Sequence, residues 1–172
     1  PAPTRPARQT AHKGAAMAAE LARRRATLTA SIQLPLPALD LSLKPGTAYE
    51  PYRRHHLARQ REMALQMRQL RNQIRGTLDE GSPKLQKLAA LDAAFEHMLS
   101  ERENHLFSTV PALLEKHFKR LLKEHAQDTE PTWLTPFGKA LETALMTELE
   151  VRLQPTLGLI EAYNDEMKNH HE

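Results

Sequence analysis

Apolar side chains recur every three or four positions along most of the chain, the spacing that gathers them on one face of an α-helix. Tyr52, Leu57, Met63, Met67, Leu70, Ile74 and Leu78 form the first long stripe. It predicts a helix opening at Pro51, where a missing N–H is harmless, or a turn earlier at the capping-box pattern Thr47–Ala48–Tyr49–Glu50. Asp79–Glu80–Gly81–Ser82–Pro83 reads as stop, turn and restart, with glycine past the helix end and serine as the next N-cap. A second helix follows from Pro83 to near Ser108, its stripe being Leu85, Leu88, Leu91, Phe95, Met98 or Leu99, and Leu106. The tight turn makes it antiparallel to the first. Pro111 either kinks this helix or opens a new one carrying Leu113, Leu114, Phe118, Leu121 and Leu122. Residues 126–135 read as a loop. Phe137, Leu141, Leu145, Leu149 and Leu153 then recur at steady four-residue spacing until Pro155, which should break the helix. A last short helix (Leu157, Ile160, Tyr163, Met167) closes the pattern.

No period-two alternation competes. The expected fold is all-α: an elongated antiparallel bundle, or long helical hairpin, with additional shorter helices. Upstream, residues 1–14 are basic, Pro-rich and aperiodic, and read as a disordered arm or linker. Residues 15–30 have helix-forming composition and suit a short helix. In residues 31–50, Pro35, Pro37 and Pro45 forbid a regular helix. Yet Leu34, Leu36, Leu39, Leu41 and Leu43 make this stretch sticky, so it reads as a strap lying on the chain's own helices or docking on a partner. Residues 51–168 form the bundle domain.

Charge changes this picture most. The chain has 172 residues and a net charge of +3, but residues 1–75 hold 14 Lys/Arg against 4 Asp/Glu while the remainder holds 10 against 17. Arg53, Arg54, Arg59, Arg61, Arg68, Arg71 and Arg75 line the first long helix. Arginine suits bidentate contact with carboxylate or phosphate. These residues either pair with the acidic half across the hairpin, meet a protein partner or a second copy, or bind a nucleic-acid backbone without sequence preference. Recognition-helix and base-stacking motifs are missing. Trp133, beside Leu134 and Phe137, either plugs one end of the bundle or anchors a partner.

Catalytic chemistry finds little to stand on. There is no cysteine, hence no disulfide and no thiol nucleophile. A cytoplasmic location is expected; no apolar run reaches membrane-spanning length. The histidines are His12, His55, His56, His97, His105, His117, His125, His170 and His171. They form no H-E-x-x-H, and no Glu precedes a His by three positions, so no metal site is assigned. His97, Glu101 and His105 share a helical face at i, i+4 and i+8 but read as a solvated face. Gly76 and Gly81 have phosphate-loop spacing, but Ser82–Pro83 replaces the required lysine. Glu101/Glu103 and Glu148/Glu150 sit two apart and read as surface charges. No cofactor is expected, and the best reading is a non-enzymatic scaffold or adaptor.

Several stretches carry a resemblance. They are Tyr49–Glu50–Pro51–Tyr52–Arg53–Arg54, Leu88–Ala89–Ala90–Leu91–Asp92, Glu101–Arg102–Glu103, Val110–Pro111–Ala112–Leu113–Leu114, His117–Phe118, and the segment from Glu148 to Leu159. Over about residues 15–165 the chain resembles an uncharacterised proteobacterial family, classed as a domain of unknown function. The resemblance implies a helical protein whose family has an N-terminal helical segment missing from this chain. It transfers no activity, cofactor or catalytic residue.

Overall fold

The computed structural model describes residues 5–169, with side chains from residue 12 onward. Five helices occur in it: α1 (Arg5–Ile32), α2 (Pro45–Asp79), α3 (Pro83–Phe107), α4 (Val110–Glu124) and α5 (Leu134–Asn169). There is no strand among the described residues.

The interhelical contacts fix the directions. Lys13–Glu80, Arg24–Gln66 and Ser31–Glu62 tie α1 to α2 and the residue just after it, numbers rising on one side as they fall on the other. Those two helices are antiparallel. Arg25–Glu150 and Gln33–Glu142 make α1 antiparallel to α5 in the same way. Arg71–Asp92 and Arg75–Asp92 pair α2 with α3 across the turn. It follows that α2 and α5 run parallel, and their partners show it: Tyr52 meets Phe137, and Gln60 meets Glu148. α2 and α5 form the centre, and α1 and α3 pack against both.

The turn between α2 and α3 is built as the sequence indicates. The Gly81 N–H donates to the Leu78 carbonyl at 2.9 Å, and Ser82 Oγ accepts from the Leu85 N–H at 3.3 Å. A Cβ on Gly81 would lie 2.8 Å from Leu85 Cδ1 and 3.0 Å from the Leu78 carbonyl oxygen, so a larger residue there would push the Leu85 side chain aside.

Several boundaries differ from expectation. α1 starts at Arg5, not near residue 15. Pro6 falls in its first turn, where no N–H is needed, and the following Ala, Arg, Gln and Lys favour helix. The expected arm's residues 1–4 lie outside the described residues. A Cβ at Gly14 would meet the Asn164 side-chain amide on α5, which would have to turn aside. α2 starts at Pro45, so Thr47–Glu50 is helix interior and the strap shrinks to residues 33–44. The early turn is held by burial of Tyr49, whose hydroxyl donates to the Pro111 carbonyl at 3.0 Å. Pro111 opens α4 after Ser108 and Thr109. Pro155 does not end α5. An internal proline costs about 3 kcal/mol, but Leu149, Leu153, Thr156 and Ile160 are all buried around it and hold the helix continuous.

α4 covers the start of α2 and α5 with an aromatic cluster. Phe118 lies 5.3 Å from each of Tyr49, Tyr52, Phe137 and Trp133. Leu70, Ile74, Leu78, Leu85, Leu141, Leu145 and Leu149 continue the core toward the other end.

Candidate functional site

The arginines of α2 are largely engaged within the chain. Arg71 grips Asp92 through two bonds of 2.8 and 2.5 Å. Arg75 reaches Asp92 at 3.2 Å and Glu96 at 2.7 Å, and Arg68 lies 4.0 Å from Glu96. Arg53 and Arg54 pair with Glu50, one helical turn away, and Arg59 pairs with Glu62 and with Ser31 of α1. Arg61 is exposed and has no ion pair among the described residues. Arg25–Glu150 adds a contact of 2.6 Å between the basic and acidic halves.

The strap divides. Leu36 and Leu39 pack on the core, Leu36 against Gly138, where a Cβ would approach within 2.9 Å of Leu36 Cδ1. The Tyr52 hydroxyl donates to the Pro37 carbonyl at 3.0 Å and pins the middle of the strap. Leu34, Leu41 and Leu43 are exposed. Trp133 is buried edge-on to Phe118, so it plugs the bundle end. Beside it Leu41, Leu122, Lys119, Lys123 and His125 border an open cleft of about 430 Å³.

A polar network crosses the middle of the bundle and takes in Glu103 and Glu148, which the sequence reads as surface charges. Gln60 Nε2 donates to Glu148 at 2.7 Å, and Arg152 Nε donates to the same carboxylate at 2.8 Å. Arg152 also reaches Glu103 at 3.4 Å and Asn104 at 3.1 Å, and its guanidinium lies over the Phe107 ring at 5.5 Å. Glu148 is 1% exposed, and Glu103 is half-buried, so neither is a free surface charge. Burial raises the Glu103 carboxyl above its ordinary range. The missed signal was Glu148 at three residues from Leu145, with Arg152 four residues further: an ion pair set inside the leucine stripe. The Arg152 guanidinium offsets the buried Glu148 carboxylate, and Gln60 satisfies its other oxygen.

His56 is fully buried, and neither ring nitrogen has a hydrogen-bond partner. Burial, with a smaller contribution from His55, lowers it to about 4. Burial also lowers His55. Of the expected solvated face, His97 lies 3.4 Å from Glu101 and both are exposed. Among the described residues no group of three or more His, Asp or Glu side chains is arranged to hold a metal ion.

α3 shows the largest departure from the expected pattern. Its bundle-facing side holds Ala89, Asp92, Glu96, Glu103 and Phe107, and of the expected stripe only Leu85 is buried there, with Leu88 packed half-buried against the core. The strong pairs from Arg71 and Arg75 draw Asp92 and Glu96 inward. The stripe is thereby rotated outward: Leu91, Phe95 and Met98 are 54%, 45% and 61% exposed, with Leu99 and Leu106 beside them. Leu88, Leu91, Phe95 and Met98 line one shallow groove with Arg102 at its end. A row of large apolar side chains left open on a helix marks an interaction surface more often than a bare monomer surface.

Fold and surface together define an all-α bundle with an open apolar helix face, in which no described helix is long and apolar enough to cross a membrane. The chain belongs to the family described as Protein of unknown function (DUF3348), whose model matches residues 1–165. No curated protein and no solved structure matches it.

Proposed function

We propose that this protein is a non-catalytic docking module, an adaptor or assembly factor that holds another protein along α3 and uses no cofactor. The observation that carries this reading is the exposed row Leu91, Phe95 and Met98. Burying each such side chain on a partner contributes about 1.5–3 kcal/mol. The exposed strap residues Leu34, Leu41 and Leu43 offer a smaller second contact. A cytoplasmic accessory role belongs to the same proposal. The alternative, backbone-directed nucleic-acid binding by α2, draws less support, because six of its seven arginines already face carboxylates. A low-salt mobility-shift assay with duplex DNA and single-stranded RNA addresses it.

The docking reading is tested by placing a photo-reactive amino acid at Phe95 or Met98 in living cells, with the exposed Thr143 on α5 as control. Covalent adducts from 95 and 98 but not from 143 are expected. Absence of any adduct from α3 removes the proposal.

A further inference from the structure

The open face of α3 has a register. Leu88, half-buried against the core at the edge of this face, and the exposed Leu91, Phe95 and Met98 are spaced three, four and three, which are the a and d positions of a heptad seam. Arg102 takes the next a position. From Leu88 to Arg102 the seam is about 21 Å long at 1.5 Å per residue. A coiled-coil seam calls for a second helix with the same spacing, and this chain supplies one: α3 itself.

The charges beside the seam choose the direction. The outer border carries Lys87, Ala94 and Glu101, all exposed and each seven residues from the next. When two α3 helices meet antiparallel, with Leu88 against the other copy's Met98 and Leu91 against its Phe95, the border positions pair as 87 with 101 and 94 with 94. Lys87 then faces Glu101 of the second copy, twice, around an axis at Ala94. At the seam ends, Lys84 lies across from Arg102, but Glu101 is adjacent and Lys84 is already held by Glu166 at 2.7 Å. On the inner border Asp92 meets its own copy, and Arg71 and Arg75 already neutralise it. A parallel pairing instead sets Lys87 toward Asp92, which is engaged, and Glu101 toward Leu106, which offers no charge.

From this complementarity, and resting on the docking reading above, we infer that the occupant of the α3 face is a second copy of this chain, bound antiparallel through Leu88, Leu91, Phe95 and Met98 with a reciprocal Lys87–Glu101 pair.

The test uses the 172-residue chain in solution. Light scattering across a dilution series is expected to give twice the 19.5 kDa of one chain. Phe95→Asp should give a monomer with unchanged helical content whose melting no longer depends on concentration, since the ring is not part of the core. Lys87→Glu and Glu101→Lys should each weaken association, and the two together should restore it. Because the chain has no cysteine, Ala94→Cys provides a clean distance probe: a short bismaleimide should join two copies in high yield. Gln86→Cys should not react, its two copies being displaced by about 21 Å along the paired helices. A wild-type monomer at every concentration overturns the inference. So does a dimer that survives Phe95→Asp, a double charge swap no tighter than the singles, or equal crosslinking from 86 and 94. If the chain is monomeric yet position 95 crosslinks to a different protein in cells, self-pairing fails and the docking reading stands. If there is neither dimer nor adduct, both fall.

Discussion

Arg152 and Glu148 face each other one turn apart on α5, 2.8 Å between guanidinium and carboxylate, in the interior of the bundle. Removing one member of such a pair leaves the other charged, desolvated and short of partners. Arg152→Met is expected to cost about 3–5 kcal/mol, read from the urea midpoint. Arg152→Met with Glu148→Gln should recover most of that loss, because Gln60 can still bond the neutral side chain.

Acid should destabilise the protein through His56. Its folded value, about 4, lies below the ordinary histidine value of 6.5. Between those values the unfolded chain binds more protons, so stability is full above pH 6.5 and falls as the pH drops toward 4. A shift of that size corresponds to a loss on the order of 3 kcal/mol. His55, also lowered, acts in the same direction. His56→Leu should flatten the pH dependence of the melting temperature over this window while leaving neutral-pH stability equal or higher, as neither imidazole nitrogen has a bond to lose.

The α2–α3 clamp should depend on Asp92 more than on any other acid of α3. It accepts from both Arg71 and Arg75, whereas Glu96 takes a single close contact from Arg75. Asp92→Ala is expected to cost about 3 kcal/mol and to speed amide exchange along α3 ahead of α2. Equal exchange in both helices would mean that apolar packing, not the clamp, holds α3.

The strap should separate into a structural and a dispensable part. Leu36→Ser removes a half-buried side chain from the core edge and should lower stability by about 1–2 kcal/mol. Leu41→Ser, at an exposed position, should fall within about 0.5 kcal/mol of wild type. Chemical denaturation distinguishes them.

The sequence disclosed the helices better than their faces. Periodicity, the Gly81–Ser82–Pro83 turn and the leucine ladder of α5 were legible because each is a local property. Helix starts were misplaced where tertiary burial outweighed a local signal: Tyr49 draws α2 back to Pro45, and the packed flanks of Pro155 carry α5 through a residue that breaks isolated helices. The face of α3 was misassigned for an electrostatic reason. Its stripe is the more apolar side, but Arg71 and Arg75 lie on the neighbouring helix and take Asp92 and Glu96 inward. Single-helix periodicity carries no information about a neighbour's charge. The arginines of α2 stood out as a class, but only the pairing register separates the engaged Arg71 from the unpaired Arg61.

The parallel arrangement of α2 and α5 also sets an order of assembly. Gln60 and Glu148 are 88 residues apart in the chain, so the two central helices are joined by a long loop closure, whereas α2 and α3 meet across a turn. Local contacts form sooner than distant ones. On a ribosome the α2–α3 hairpin is therefore complete while the surface that α5 will cover is still open. During that interval α2 lacks the partners that α5 brings, Phe137 for Tyr52 and Glu148 for Gln60. A nascent chain stalled before residue 134 should be a preferred chaperone client and a preferred protease substrate, and release of the last 36-residue helix should end both at once.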